Sequence, residues 1–369
     1  MISAPIDAAN STMRPRLQDM RILCEQDVER LIEPAAAIAA MADGYRRQAD
    51  GDIPAPGRLD MGRDTPKGNV LVLAGHSDSQ SFAIKANMHV YPEPESRHRK
   101  AASMMLLWDA VRCVPTALVA TTLFNNHRTA AGLAAAARHL APPQARTLAV
   151  FGAGKIAPAV IRYLLLVRAF ERIWIVGRQM QRASELAQAM RSSPELAGRE
   201  VEAIADPGAA VRDADVIVTV TTADMPVFPG RMVKPGALVI LAGANRPHAR
   251  EADDDLMARA TIYVDHRSGC IERAGDLCIP LRSGHLKLRQ IAGEIGSLLA
   301  GSPQPPRGPE DVTVFKSIGI IAQDLALAEL IVTRAGQEGI GVEFDPFTGL
   351  CRPASASSPP AGLLAEDLP

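Results

Sequence analysis

The run Thr147-Leu-Ala-Val-Phe-Gly-Ala-Gly-Lys-Ile-Ala157 decides how this chain is read. Leu148 to Phe151 carry the apolar pattern of a buried strand, and they meet Gly152-x-Gly154-x-x-Ala157 where a helical segment begins. Each small residue has its own reason: Gly152 permits a tight turn, Gly154 lets backbone approach a pyrophosphate, and Ala157 lets helix pack close on strand. The first turn of that helix offers unpaired N–H groups at the positive end of its dipole. A second β-type run, Ile173-Trp-Ile-Val176, follows at βαβ spacing. Gly152, Ala153, Gly154, Lys155 and Ile156 are therefore candidates for holding a dinucleotide.

The end of the second strand selects between cofactors. An acid there would bond the ribose 2′-hydroxyl of NAD, whereas NADP calls for cations. The chain reads Val176-Gly-Arg178-Gln-Met-Gln-Arg182 and offers no acid, so Arg178 and Arg182 favour NADPH, with NAD(H) as the alternative. Downstream, Ala214 to Val220 is a buried-strand pattern ending at Thr221-Thr222; Ala237 to Leu241 is another, ending at Gly243-Ala-Asn245; Ala260 to Asp265 is a third. Open α/β sheets bind ligands at the carboxyl ends of their strands, which adds Thr221, Thr222 and Gly243 to the cofactor candidates. From about His127 to Leu281 strands alternate with helices, as in a doubly wound α/β domain.

A chain of 369 residues exceeds one ordinary core, so two domains are expected. With 40 basic against 41 acidic residues, charge gives no reason to invoke nucleic acid or an anionic membrane. The basic runs Arg46-Arg47 and Arg97 to Lys100 read as solvated faces. The five cysteines form no CxxC pair and no metal-ligand spacing, so no metal is expected and reduced thiols in a cytoplasmic protein are. No apolar run reaches membrane-spanning length, and the N-terminus lacks a signal-peptide pattern. Met1 to Arg16 reads as a loose lead-in and Arg352 to Pro369 as a disordered tail.

Ahead of the fingerprint, helices are expected from Leu23 and over Pro34 to Gln48, the latter with Pro in its first turn. Arg58 sits where extended chain starts after Ile53-Pro-Ala-Pro-Gly57. Strands are expected over Asn69 to Ala74, Ser81 to Ala86, Ala101 to Trp108 and Thr116 to Phe124. Lys85 lies near the end of the second of these, where it either snorkels to solvent or is held in a cleft with a lowered pKa. The last strand leads to Asn125-Asn-His127-Arg128 and an Ala-rich helix ending near Leu140. A final helix, Ile320 to Gly336, is expected to cross back to the first domain. Met61, Met88 and the loop Gly75 to Gln80 are expected to shape a substrate pocket. His76, His89, His98 and His127 share no ligand spacing, although His127 adjoins Arg128. Asp324 either faces the pocket or balances a charge.

Taken in order, Gly57-Arg58, Ile84-Lys85, Arg128-Thr-Ala-Ala131, Gly152-Ala-Gly154, Gly275-Asp-Leu277, Gly293-Glu-Ile-Gly296 and Thr313-Val-Phe-Lys316-Ser-Ile-Gly319 resemble the ornithine cyclodeaminase/mu-crystallin family, over about Leu23 to Gly341. The resemblance implies a homodimer with a central Rossmann-type doubly wound sheet and a discontinuous α+β substrate-binding and dimerisation domain. The corresponding layout is a lead-in over 1–20, the substrate domain over 21–127 plus 320–350, the Rossmann domain over 128–319 and a tail over 351–369. It further implies that Arg58, Lys85 and Arg128 grip a substrate carboxylate beside the nicotinamide. Where cyclodeaminases carry an Asp, this chain has Asn245, and an amide cannot act as a general base at neutral pH. The segment Gly243 to Glu251 is instead similar to the mu-crystallin branch. The expected activity is thus NAD(P)H-dependent reduction of a small cyclic α-imino acid, with Lys85, Arg58, Arg128 and Asn245 at the reacting centre. The alternatives are a cyclodeaminase converting ornithine to proline and ammonia, an alanine-type amino-acid dehydrogenase, and a non-catalytic NADPH-binding protein.

Overall fold

After β1 (Met20–Leu23) and the helices Glu25–Leu31 and Pro34–Ala49, the chain makes β2 (Leu59–Asp64), β3 (Lys67–His76), β4 (Ser81–Val90), β5 (Lys100–Asp109) and β6 (Val114–Ala120). The strands β2 to β6 pair antiparallel in chain order, and β1 lies parallel to β6. The helix Thr122–Leu140 then leads into β7 (Thr147–Phe151), β8 (Arg172–Val176), β9 (Glu200–Ala203), β10 (Val216–Thr219), β11 (Leu238–Leu241), β12 (Thr261–Val264), β13 (Ile291–Glu294) and β14 (Thr313–Lys316). These form one parallel sheet in the order β13-β12-β14-β11-β10-β7-β8-β9. Its central strands are apolar on both faces because helices cover both. The helix Ile321–Glu338 returns to the first sheet, where β15 (Val342–Phe344) and β16 (Cys351–Pro353) extend the edge beyond β1. The fold class is accordingly α/β with parallel order in the nucleotide-type sheet.

This computed structural model describes residues 19–54, 57–64, 67–77, 81–90, 100–303, 308–346 and 351–353. Residues 1–18 of the lead-in, the tail past 353, residues 97–99 of the basic run with His98 among them, and residues 78–80 of the Gly75 to Gln80 loop lie outside the described residues. Among the described residues no helix is long and apolar enough to cross a membrane.

Three helices hold the two sheets together. On Thr122–Leu140 the alanines from Ala130 to Ala137 are all buried, and their small side chains allow close approach of neighbouring helices. Gly132 lies so near the helix Ile321–Glu338 that a Cβ there would sit 2.2 Å from Gln323 Nε2. Gly44 on Pro34–Ala49 makes the same kind of approach, with a Cβ falling 2.7 Å from the Ala322 carbonyl oxygen. The first turn of Pro34–Ala49 is closed by Glu33, whose carboxylate accepts from the amides of Ala35 and Ala36.

Two expectations need correction. The strand expected over Thr116 to Phe124 stops at Ala120, because the Glu25 carboxylate accepts from the amides of Thr122 and Leu123 at 2.9 and 2.8 Å and so caps a helix there. The helix expected from Ile156 to Ala169 spans Ala157–Leu165. Just past its end, the Arg168 guanidinium is drawn away to the carbonyls of Ala141 and Pro142.

Candidate active site

The two-residue period of β4 sends Ala83, Lys85 and Asn87 to the buried face and Ile84, Ala86 and Met88 outward. Lys85, 1% exposed, lies beneath the helices Thr122–Leu140 and Ile321–Glu338. Its Nζ donates to Asp324 Oδ1 at 2.7 Å and to Asn125 Oδ1. Burial pushes the ammonium pKa from 10.5 down to about 8; Asp324 pulls against that drop and Arg128 adds to it.

Asp324, in the first turn of its helix, is fully buried and joins two of the expected cations. Arg128 Nε lies 3.0 Å from Asp324 Oδ1, an ion-pair contact off the axis of a good hydrogen bond. The other carboxylate oxygen, Oδ2, is buried with no partner among the described residues. The Arg128 guanidinium also lies against Gly319, where φ is +77° and any Cβ would fall 2.6 Å from Nη1. Asp265, at the end of β12, pins that turn by accepting from Ser317 Oγ and from the amides of Ile318 and Gly319, each at 2.8 Å.

Arg58 stands across from this cluster. Its Nη2 donates to the main-chain oxygen of Asn245 at 3.0 Å. Burial, reinforced by nearby Arg273, lowers its guanidinium pKa. Arg58, Leu73 and Gly319 help to wall a cavity of about 240 Å³. Leu73 is the direct cross-strand partner of Lys85, so Lys85 and Arg128 lie behind the same walls that Arg58 faces. The four residues expected at the reacting centre are thus gathered as two pairs, Lys85 with Arg128 through Asp324, and Arg58 with Asn245.

Some expected residues lie elsewhere. His127 turns away to bond Tyr163 Oη at 2.9 Å, and burial lowers its pKa. Met88 and Met61 stand in one cross-strand row through Val70, on the face opposite Lys85, because the strand period separates odd from even positions. They do not shape this cavity.

At the carboxyl edge of the parallel sheet, Gly152 has φ +114°, and a Cβ there would fall 2.7 Å from the Val220 carbonyl oxygen. Gly154 is different, with nothing within 4 Å of where its Cβ would be. Lys155 is exposed, and no side chain caps the helix that begins at Ala157 after Ile156. Open backbone at Gly154 next to uncapped N–H groups fits a pyrophosphate. Arg178 and Arg182 are exposed past β8, as is Thr222 past β10. Thr221 is committed inward: its amide and hydroxyl both donate to Glu251, at 2.9 and 2.7 Å.

Glu251 is singled out by no motif that its sequence neighbours reveal. Fully buried, it also accepts from Thr219 Oγ1 and from the amide of Gly243, each at 2.7 Å, tying together the loops after β10 and β11. Its own amide donates to Asp276, which pairs with buried Lys316 at 2.8 Å. Lys316 in turn donates to the Ala244 carbonyl oxygen, one residue from the carbonyl that holds Arg58. Burial works against the Lys316 ammonium, but Asp276 and Glu251 outweigh it and keep the pKa above its ordinary value.

The chain resembles proteins of known activity over most of its length. It is 30% identical over 259 residues to Delta(1)-pyrroline-2-carboxylate reductase of Bacillus cereus, covering 69% of this chain and 78% of that one. It is also 30% identical to the ketimine reductase mu-crystallin of Rattus norvegicus, covering 82% of this chain and 90% of the relative. The fold matches the Thermococcus litoralis Delta(1)-pyrroline-2-carboxylate reductase, solved with NADH and L-proline, at a TM-score of 0.81 and 25% identity over 87% of this chain and 99% of that one. A family model matches residues 18–339, and the chain belongs to the ornithine cyclodeaminase/mu-crystallin family.

Proposed function

We propose that this protein is an NAD(P)H-dependent oxidoreductase that reduces a small cyclic α-imino acid to the corresponding cyclic amino acid. The observation that carries the reading is the cluster of buried Lys85 and Asp324 with half-buried Arg128, beside the cavity that Arg58 lines. Relatives over most of the chain are named as reductases of pyrroline-2-carboxylate and of ketimines. Arg58 and Arg128 grip the substrate carboxylate by charge-assisted hydrogen bonds and so fix the ring, with the Lys85 ammonium as a third cation beside it. Asp324 offsets the repulsion between Lys85 and Arg128, leaving one net positive charge there for the carboxylate. Lys85, with a pKa of about 8, retains its proton at neutral pH and can yield it to the ring nitrogen. The chemistry that a bound reduced nicotinamide would supply is the hydride for the C=N carbon. Carbon gains the hydride, nitrogen gains the proton, and the double bond becomes single. Asn245, an amide, cannot act as base; its main chain orients Arg58.

Gly152, Ala153, Gly154, Lys155 and Ile156 cradle the pyrophosphate, with Thr222 and the loops holding Thr221 and Gly243 along the same edge. Arg178 and Arg182, exposed past β8, favour NADPH over NADH. The sheet from β1 to β6, with the helix Ile321–Glu338, forms the substrate and dimerisation domain. Its outer face supports a homodimer: Leu59, Met61, Ile84, Met88 and Met104 are each between 38% and 55% exposed on neighbouring strands, an apolar patch suited to a second copy.

The test is spectrophotometric. Purified protein with NADPH or NADH should consume reduced cofactor when given pyrroline-2-carboxylate or its six-membered homologue, and not when given pyruvate plus amines. Proline and ammonia formed from ornithine without net cofactor turnover would establish the lyase instead.

A further inference from the structure

We propose that Asn125 is a positioning residue that aims the Lys85 ammonium and helps to keep it charged, with Asn87, Ser103 and Thr121 locking the Asn125 amide in the one orientation that can do so. The inference rests on the reading of Lys85 as proton donor.

The amide orientations follow from a group that can only accept. The Leu71 carbonyl oxygen faces Asn87 Nδ2 at 3.5 Å, the weakest link in the chain. A carbonyl cannot donate, so the nitrogen of the Asn87 amide must face it and the oxygen must face the other way. That oxygen takes a bond from Ser103 Oγ at 2.6 Å and a longer one from Asn125 Nδ2 at 3.4 Å. Ser103 has then spent its only hydroxyl proton, so Thr121 Oγ1, 2.6 Å away, must donate to it. With the Asn125 nitrogen committed to Asn87, its oxygen is left for Lys85 Nζ. Every donor in the chain is directed so that one neutral acceptor faces the ammonium. Ser103, Asn87 and Thr121 are buried, and no water is needed to satisfy the sequence of bonds.

The surroundings explain why such an acceptor matters. Lys85 meets Asp324 from Ile321–Glu338, and Arg128, Asn125 and the Phe124 ring from Thr122–Leu140. Its cross-strand neighbours Leu73 and Met105 are apolar. Asp324 is shared between the two cations, so its attraction for Lys85 is divided. Asn125 serves Lys85 without adding charge, and its acceptor strength does not vary with pH. Two of the three ammonium protons go to Asp324 and Asn125. The third is free for the substrate, its direction set by the other two.

The protein has seven lysines, few enough for the Lys85 signal to be assigned by comparison with Lys85→Met after isotopic labelling of the lysine side chains. Direct NMR titration then reads the Lys85 pKa without reference to turnover. Asn125→Leu should lower it by about one pH unit, a tenfold loss of proton affinity, and Asn125→Asp should raise it. Ser103→Ala, which frees Asn125 to flip, should lower it by a smaller amount. In assays of cyclic imine reduction, the alkaline limb of kcat/KM should move with the titration while NADPH binding, followed by fluorescence, stays the same. A Lys85 pKa unmoved in both Asn125 variants overturns the proposal, even if turnover falls. A pKa that moves as stated in a protein that reduces no cyclic imine leaves the Asn125 assignment standing and removes the reductase reading.

Discussion

Replacing Lys85 by Met should change the pH dependence of stability in a way no surface lysine could. The folded pKa of about 8 lies below the ordinary 10.5, so between those values the unfolded chain binds more protons than the folded one. Stability of the native protein therefore rises as pH increases across that window. At about 1.4 kcal/mol per tenfold in proton affinity, keeping Lys85 charged costs roughly 3 kcal/mol below pH about 8, and that cost disappears near pH 10.5. Met has no charge to desolvate, and Asp324 keeps Arg128 as its partner. The substitution leaves the Asn125 oxygen without a donor, a penalty of about 1–2 kcal/mol that is the same at every pH. The offset between the two proteins is thus composite, but its slope is not. Chemical denaturation at several pH values should show Lys85→Met losing its relative advantage by roughly 3 kcal/mol between pH about 7 and about 10.5. Taking the difference cancels the six remaining lysines. Parallel stability curves would refute the claim that Lys85 is a strained buried ammonium. The same variant should lose at least about a hundredfold in kcat/KM for imine reduction, as expected when a positioned proton donor is removed.

Two glycines in one motif should fail in different ways. Gly154→Val adds a side chain to open space, so the melting temperature should hold while NADPH binding, measured by fluorescence titration, is lost; Gly152→Ala, strained by φ +114° and by a Cβ 2.7 Å from a carbonyl, should instead lower the melting temperature. Arg178→Asp should raise KM for NADPH by about tenfold or more and spare NADH, because a carboxylate repels a 2′-phosphate; equal effects on both cofactors would show that Arg178 does not read it. Met88→Asp, at a residue 45% exposed in the outer apolar row, should shift the protein to monomer in sedimentation without unfolding it, and an unchanged mass would place the dimer contact elsewhere.

The parallel sheet was legible because its signals are local. Buried strands such as Leu148 to Phe151 are short apolar runs closed by glycine, and the positive φ at Gly152 is what a tight turn after a strand requires. The substrate side was harder to read. Thr121, Thr122 and Phe124 are β-formers by composition, yet the helix begins there because Glu25, 97 residues before Thr122, caps it. Propensity lost to a tertiary hydrogen bond that no window of sequence contains. The strand period around Lys85 was visible, and it alone would have sent Met88 to the opposite face from the lysine.

The carboxylates were the least legible part, and the reason is physical. Lys85 stands out as a cation among apolar neighbours and Arg128 only through the motif shared with the family, whereas Asp324 lies 239 residues from Lys85 and sits on a helix where an acid in the first turn is ordinary. Glu251 follows an arginine in a loop and carries no periodic mark, yet its carboxylate joins the loops after β10 and β11. Each acid takes its meaning from what folding brings to it. For Asp324 that is two cations whose repulsion would otherwise open the site; for Glu251 it is a set of N–H and O–H donors that burial would otherwise leave unpaired. The cations define what the cavity can hold. The buried acids determine whether those cations can stand close enough to hold it.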